Sequence, residues 1–363
     1  MSRQIENTKP AEIALVGCGA VSQMLYAPTL QALEAQRLAR VAMLVDPSES
    51  QRATLHEIFP TARLYNNLTD CDLKALDLVI VASPPQFHAE QSILALNSSV
   101  PVLCEKPMAQ DSRQAEQMLA AALESNTPLA VGHFRRFFPA SKMLKAIFEN
   151  KPFGRLLDFS VQEGGKFAWA VASAALFRRE STPGGVLYDS GIHVLDLLLW
   201  WLGTPEDFTY EDDAMGGLEA NCRLEMVYAD GVRGSVRLSR DWATQNRYVF
   251  VFERGTVVYE VGQANKLSLL IDGLPYVLGG ELTKAKSPDA TIRLPTEAGL
   301  QSFGEQLRNV LRAIKGEESL GVPGDEAIHS LRFVEACYSR RKLMDLPWLA
   351  DDERSSAQRL GNS

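Results

Sequence analysis

Residues 11–132 repeat one theme, a short apolar run closed by Gly or a polar residue and followed by a helical pattern. The runs read AEIALVG, RVAMLVD, a weaker ARLY, DLVIVAS, VPVLCE and PLAVG. They are nearly continuous in Val, Ile, Leu and Ala rather than alternating with polar residues, as befits strands buried on both faces of a parallel sheet. Six such strands predict a doubly wound α/β domain, whose ligands belong in the crevice at the carboxyl ends of the strands.

After about residue 135 the pattern changes. FPASKMLKAIFEN reads as a helix, FGRLLDFSVQEGG as a strand, and residues 184–202 as a helix with an apolar body. Residues 219–272 alternate as antiparallel strands do, with a turn at Asp230-Gly231. Two amphipathic helices are expected at about 298–315 and 325–342, and the polar tail DDERSSAQRLGNS is expected to be disordered. At 363 residues the chain exceeds what one core usually organises. The division expected is a dinucleotide-binding domain over 1–135, a substrate and oligomerisation domain over 136–350, and a tail over 351–363.

Composition narrows the functions. Hydrophobic residues make up 46%, yet no apolar run approaches the ~20 residues that span a bilayer, so no membrane association is expected. The start, MSRQIENTKPAE, lacks the apolar stretch of a secretory signal and points to the cytoplasm. Cys18, Cys71, Cys104, Cys222 and Cys337 are odd in number and never spaced as CxxC, which argues for reduced thiols against a disulfide framework or a zinc site. A formal charge of −8 disfavours nucleic acid as a partner.

The first βα turn reads Gly17-Cys18-Gly19-Ala20-Val21-Ser22, so backbone amides at a helix start can approach a pyrophosphate. Asp46 closes the second strand, where a carboxylate binds ribose hydroxyls and repels a 2′-phosphate; NAD is therefore preferred to NADP, with Ser48 and Arg52 close enough to complicate the choice. Ser83, Pro84 and His88 follow the fourth strand as candidates for the cofactor rim, although a lone histidine at a helix start also serves as a structural hydrogen-bonding group.

Glu105, Lys106 and Pro107 follow the fifth strand at the same carboxyl edge. Lys106 can donate to a substrate oxygen there or join proton transfer. Asp189, His193 and Asp196 are spaced to share one helix face among Ile192, Leu195, Leu198, Leu199, Trp200 and Trp201, a costly place for ionisable groups without a function. Two readings compete, a metal site and an acid–base site acting on an alcohol or ketone. The acid–base site is preferred, because no second histidine joins the cluster and imidazole suits a proton leaving a hydroxyl. The role of Asp196 stays open.

With Glu105-Lys106-Pro107 and the run GGxxxDxGxHxxD from Gly184 to Asp196 in place, the chain resembles the glucose–fructose oxidoreductase, inositol dehydrogenase and rhizopine catabolism (Gfo/Idh/MocA) family over nearly its whole length. The resemblance implies a Rossmann domain, then an α+β domain with a large open, mostly antiparallel sheet, and homodimers or homotetramers assembled through that sheet. It implies NAD(P)-dependent oxidation or reduction of hydroxyl carbons in sugars, cyclitols or sugar nucleotides. Lys106, Asp189 and His193 then form the catalytic group, with His193 exchanging the proton, Asp189 supporting it and Lys106 holding the substrate oxygen.

Two departures stand out. Ser22 replaces the third small residue of the turn, and Gly132 to Phe137 follow the family's Arg-Phe pattern only in part. Arg136, and Arg178-Arg179 before the catalytic helix, are candidates for reaching the substrate or its anionic group, or else are surface residues. Two other functions stay open: glycoside cleavage with transient oxidation by a retained NAD, and a non-catalytic dinucleotide-binding regulator. Substrate choice falls to loops at about 133–183 and 240–295.

Overall fold

The computed structural model describes residues 9–168, 177–179, 181–279, 297–345 and 350–361. The polar start through residue 8, and within the expected substrate loops residues 169–176, 180 and 280–295, lie outside the described residues. The chain divides into two compact units. The first comprises Met1–Ala109, Arg113–Gly132 and Phe303–Gly324; the second comprises Gln110–Ser112, His133–Ser302 and Asp325–Ser363.

The first unit is built on β1 (Ala11–Val16), α1 (Ala27–Ala35), β2 (Ala39–Val45), α2 (Glu49–Ile58), β3 (Arg63–Tyr65), β4 (Leu78–Val81), α3 (His88–Asn97), β5 (Val102–Cys104), α4 (Ser112–Glu124) and β6 (Leu129–Val131). The strands pair in parallel in the order β3-β2-β1-β4-β5-β6. All of β1, β4, β5 and β6 is buried, as their unbroken apolar runs require. In this order the connections reverse between β1 and β4, which opens the ligand crevice at their carboxyl ends.

The second unit contains α5 (Pro139–Asn150), β7 (Leu156–Gly164), α6 (Ile192–Leu202), β8 (Asp207–Asp212), β9 (Asn221–Val227), β10 (Arg233–Ser239), β11 (Arg247–Phe252), β12 (Gly255–Glu260), β13 (Lys266–Ile271) and β14 (Leu274–Gly279). Then come α7 (Glu297–Ala313), α8 (Gly324–Ser339), β15 (Arg341–Leu343) and α9 (Asp351–Gly361). Nine strands form one sheet in the order β14-β13-β12-β11-β7-β10-β9-β8-β15. The pairs β7–β10 and β8–β15 are parallel, so a sheet whose sequence reads as antiparallel is mixed, though mostly antiparallel. Strands β9 to β11 alternate buried and more exposed positions, and the buried side packs under α5 and α6. There Phe148, Trp201 and Phe250 meet, with Phe148 and Phe250 edge to face at 5.1 Å.

Two features depart from the sequence pattern. Most of α7 and the segment after it belong to the first unit, where Phe303 packs edge-on against Tyr26 at 4.7 Å and Val131 N–H bonds to the Val322 carbonyl at 3.1 Å. An amphipathic pattern marks an apolar face without naming the core that covers it. The tail read as disordered forms α9, with Asp351, Asp352 and Glu353 at the positive end and Arg359 in the last turn. Glu353 also accepts the Ala350 N–H at 2.8 Å, and the charges at both ends complement the helix dipole.

Candidate active site

In the first unit the chain leaves β1 through Gly17, whose φ of +90° strains any other residue. A Cβ on Gly17 would also lie 2.4 Å from the Ser83 nitrogen, so the turn packs directly on the segment after β4. Gly19, Ala20 and Val21 lead into a widened helical turn at Ser22–Tyr26 that runs on as α1. Asp46 braces the turn from the end of β2, one carboxylate oxygen accepting the Cys18 N–H and the other the Ser48 N–H, both at 2.8 Å. Arg52 donates to the Asp46 carbonyl oxygen. Burial and the neighbouring Asp46 push the Cys18 thiol up to about 12, so it stays protonated.

The segments after β4 and β5 are tied together by His88, which is 1% exposed. Its Nε2 lies 2.7 Å from the Ser83 carbonyl and its Nδ1 2.8 Å from the Pro107 carbonyl. Two acceptors favour a charged ring, but burial opposes charge more strongly and lowers the His88 pKa. Both ring nitrogens of His88 thus face backbone carbonyls. Next to Pro84, Ser83 donates its hydroxyl to the Gln91 side chain at 2.6 Å. Glu105 accepts the Tyr26 hydroxyl at 2.9 Å and the Lys106 N–H at 3.1 Å, and burial raises its pKa.

In the second unit Asp189 lies in a widened turn, Leu187–Gly191, that continues into α6 with His193 and Asp196. Asp189 is half-buried, whereas His193 is 6% and Asp196 2% exposed. The His193 ring stands edge-on to Phe134 at 5.4 Å and to His133 at 5.7 Å, an aromatic surround that fixes its plane. An imidazole so placed, one turn after a solvent-accessible carboxylate, is equipped to take a proton from a hydroxyl or return it.

Sequence reasoning missed what holds this helix. Glu219, fully buried, accepts the N–H groups of Gly185 and Leu187 at 2.9 and 3.0 Å and the Tyr338 hydroxyl at 2.7 Å. Its own carbonyl accepts the Val186 N–H at 3.0 Å. It thus satisfies amides that a helix start leaves open, from a position far along the chain. Its only sequence signal is a lone acidic residue before an alternating strand, which looks like any surface carboxylate.

Residues 11–133 match the model of the GFO/IDH/MocA oxidoreductase family with an NAD-binding Rossmann fold, and residues 141–258 match the GFO/IDH/MocA C-terminal domain. The chain belongs to the GFO/IDH/MocA family. It is 29% identical over 202 residues to a D-glucoside 3-dehydrogenase of Escherichia coli, covering 54% of this chain and 56% of the relative. It is 26% identical over 322 residues to an inositol 2-dehydrogenase of Corynebacterium glutamicum, covering 85% and 87%. Against the glucoside dehydrogenase and an inositol 2-dehydrogenase of Leifsonia xyli, the chain spans about half the relative's length, 56% and 47%. Among solved structures, a levoglucosan dehydrogenase with NADH and levoglucosan superposes with a TM-score of 0.78 at 16% identity, covering 91% of this chain and 97% of the other. The WlbA dehydrogenase of Bordetella pertussis gives 0.74 at 22% identity, covering 92% and 95%. At such identities these structures establish the fold.

Both departures from the GFO/IDH/MocA pattern have a physical account. The Ser22 side chain is buried and donates to the Gly17 carbonyl, closing the turn it enters. Arg135 makes two bonds to Glu163 at 2.8 and 2.9 Å. Arg136 makes two to Asp196 at 2.7 and 2.9 Å and a third to Glu326 at 2.6 Å. The sequence left Arg136 as a substrate candidate and Asp196 without a role; the two hold each other inside the second unit. Arg178 and Arg179 are exposed, and Arg179 donates to the Gly216 carbonyl at 2.9 Å.

Proposed function

We propose that this chain is an oxidoreductase that moves a hydride between NAD, in preference to NADP, and a hydroxyl- or keto-bearing carbon of a sugar, cyclitol or sugar nucleotide. One observation carries it: a buried imidazole, His193, follows Asp189 on an externally anchored helix, in a chain whose other unit is an NAD-binding Rossmann fold. Relatives named as glucoside and inositol dehydrogenases support the substrate class.

The first unit fits the dinucleotide, since Gly17 has no room for a side chain and Gly19, Ala20 and Val21 enter a helix start. Asp46 keeps lone pairs for ribose hydroxyls beyond the two N–H groups it accepts, and its charge opposes a 2′-phosphate. Ser83, Pro84 and Glu105 shape the rim, with His88 holding its two segments together. The bound nicotinamide supplies the hydride acceptor or donor. His193 takes the hydroxyl proton during oxidation and returns it during reduction, Asp189 supports the imidazolium, and Lys106 donates to the substrate oxygen.

His193→Ala should lower turnover at least ~100-fold while NADH affinity, read by fluorescence titration, stays within twofold. Full activity in this variant, or in Lys106→Met, overturns the assignment. Initial rates with each nicotinamide should favour NAD by about tenfold or more, and a preference for NADP would reverse the reading of Asp46. We also propose a homodimer or homotetramer joined through the nine-stranded sheet, on the exposed Leu274, Tyr276 and Val277 of β14; a monomeric mass in light scattering would refute this. Free thiols at all five cysteines fit a reducing cytoplasm, to be checked by cell fractionation.

A further inference from the structure

Arginines in the interior of the second unit are tied to carboxylates: Arg135 to Glu163, Arg136 to Asp196, and Arg341 to Asp212 at 2.6 Å. Arg240 is different. Its backbone is fixed at the end of β10, with its N–H on the Ala220 carbonyl at 2.9 Å and its carbonyl accepting the Phe167 N–H at 2.7 Å. Its side chain is half-buried, and its guanidinium carbon lies 5.6 Å from the Phe177 ring centre. Nη1 is shut off from water and has no hydrogen-bond acceptor among the described residues. The adjacent Asp241 carboxylate is turned to the Ser239 hydroxyl at 3.0 Å.

The position matters as much as the missing acceptor. Leu238, on β10, lies against Gly191, with Leu238 Cδ1 2.6 Å from where a Cβ would stand; Gly191 sits between Asp189 and His193. Arg240 follows two residues on from Leu238, in the bend just after β10 that Ser239 Oγ closes by accepting the Trp242 N–H at 2.8 Å. Around it, Phe167 and Phe177 pack edge to face at 5.0 Å, Phe177 is 46% exposed and Trp242 65%. Exposed aromatic faces suit the apolar face of a sugar ring, and a guanidinium fork suits a planar pair of anionic oxygens.

Resting on the oxidoreductase reading above, we propose that Arg240 is the specificity residue for an anionic sugar, binding its carboxylate or phosphate while Phe177 and Trp242 face the ring. Arg136, flagged by the sequence for such a role, is spent on Asp196 and Glu326.

The test is calorimetry on the NADH-loaded full chain, with D-glucose and D-galactose as neutral probes against D-glucuronate, D-galacturonate and the two 6-phosphates. At least one anion should bind tenfold or more tightly than its neutral parent. Arg240→Gln should abolish that difference, and Arg240→Lys should retain part of it. A preference for uronates marks a carboxylate substrate, and one for the 6-phosphates a phosphorylated substrate. In steady-state assays Arg240→Gln should raise KM for the preferred anion tenfold or more with kcat within twofold. Equal affinity for charged and neutral sugars, or an anion preference that survives Arg240→Gln, overturns the proposal. Binding is read without turnover, so an inert enzyme that still discriminates anions through Arg240 refutes only the oxidoreductase reading.

Discussion

At Gly17 the missing side chain serves conformation, because φ is +90° and the backbone turns where other residues are strained. At Gly184, Gly185 and Gly191 it serves packing. None of these three has a left-handed φ, yet a Cβ would stand 1.9 Å from the Tyr338 hydroxyl, 2.0 Å from the Glu219 carbonyl oxygen and 2.6 Å from Leu238 Cδ1, respectively. Both motifs enter a widened helical turn before a regular helix, Ser22–Tyr26 before α1 and Leu187–Gly191 before α6. The first turn is closed by Ser22, five residues from its acceptor Gly17, and the second by Glu219, more than thirty residues from the amides it holds. The first turn is closed locally and then braced by Asp46 and Ser83, whereas the second is closed only by a group that folding delivers.

The largest effect expected from this contrast is at Glu219. Glu219→Ala removes the acceptor of two buried N–H groups and of the Tyr338 hydroxyl, and should cost about 4 kcal/mol in urea denaturation. A loss under about 1 kcal/mol would break the claim that the second motif is held from outside. Gly17→Ala should follow at about 2 kcal/mol, from strain and contact with Ser83, together with weakened NADH binding. Unchanged NADH affinity would separate the turn from the cofactor. Ser22→Ala should cost about 1 kcal/mol, the value of one buried hydroxyl bond, and restoring glycine there should not recover it.

A pH effect sharpens the same comparison and is expected to be the smallest. Burial lowers the His88 pKa, so the unfolded chain takes up the proton more readily than the folded one. The stability contributed by the neutral ring is therefore complete above the unfolded value near ~6.5 and is lost as pH falls below it. Denaturation midpoints at pH 7.5 and 5.5 should differ more for the natural chain than for His88→Gln. Equal differences would show that His88 does not titrate with folding.

Much of the first unit was legible because a doubly wound sheet is written locally. Apolar runs such as LVIV at 78–81 name strands buried on both sides, and Gly17 and Asp46 sit at strand ends where their positions alone suggest a role. In the second unit the motif from Gly184 to Asp196 was visible, but the duties within it were not. Asp196, whose role the sequence leaves open, neutralises Arg136, because a buried guanidinium requires a carboxylate and α6 presents one to it.

By itself the sequence determined the parallel doubly wound sheet, an antiparallel reading of the second sheet and the candidates Lys106, Asp189 and His193, since periodicity and strand-end position are properties of neighbouring residues. Only the tertiary structure decided that most of α7 returns to the first unit, that Glu219 anchors the helix of His193, and that Arg135 and Arg136 are tied up while Arg240 Nη1 has no acceptor among the described residues. Ion pairing and the filling of space between distant segments depend on which residues folding brings together, and spacing along the chain does not encode that.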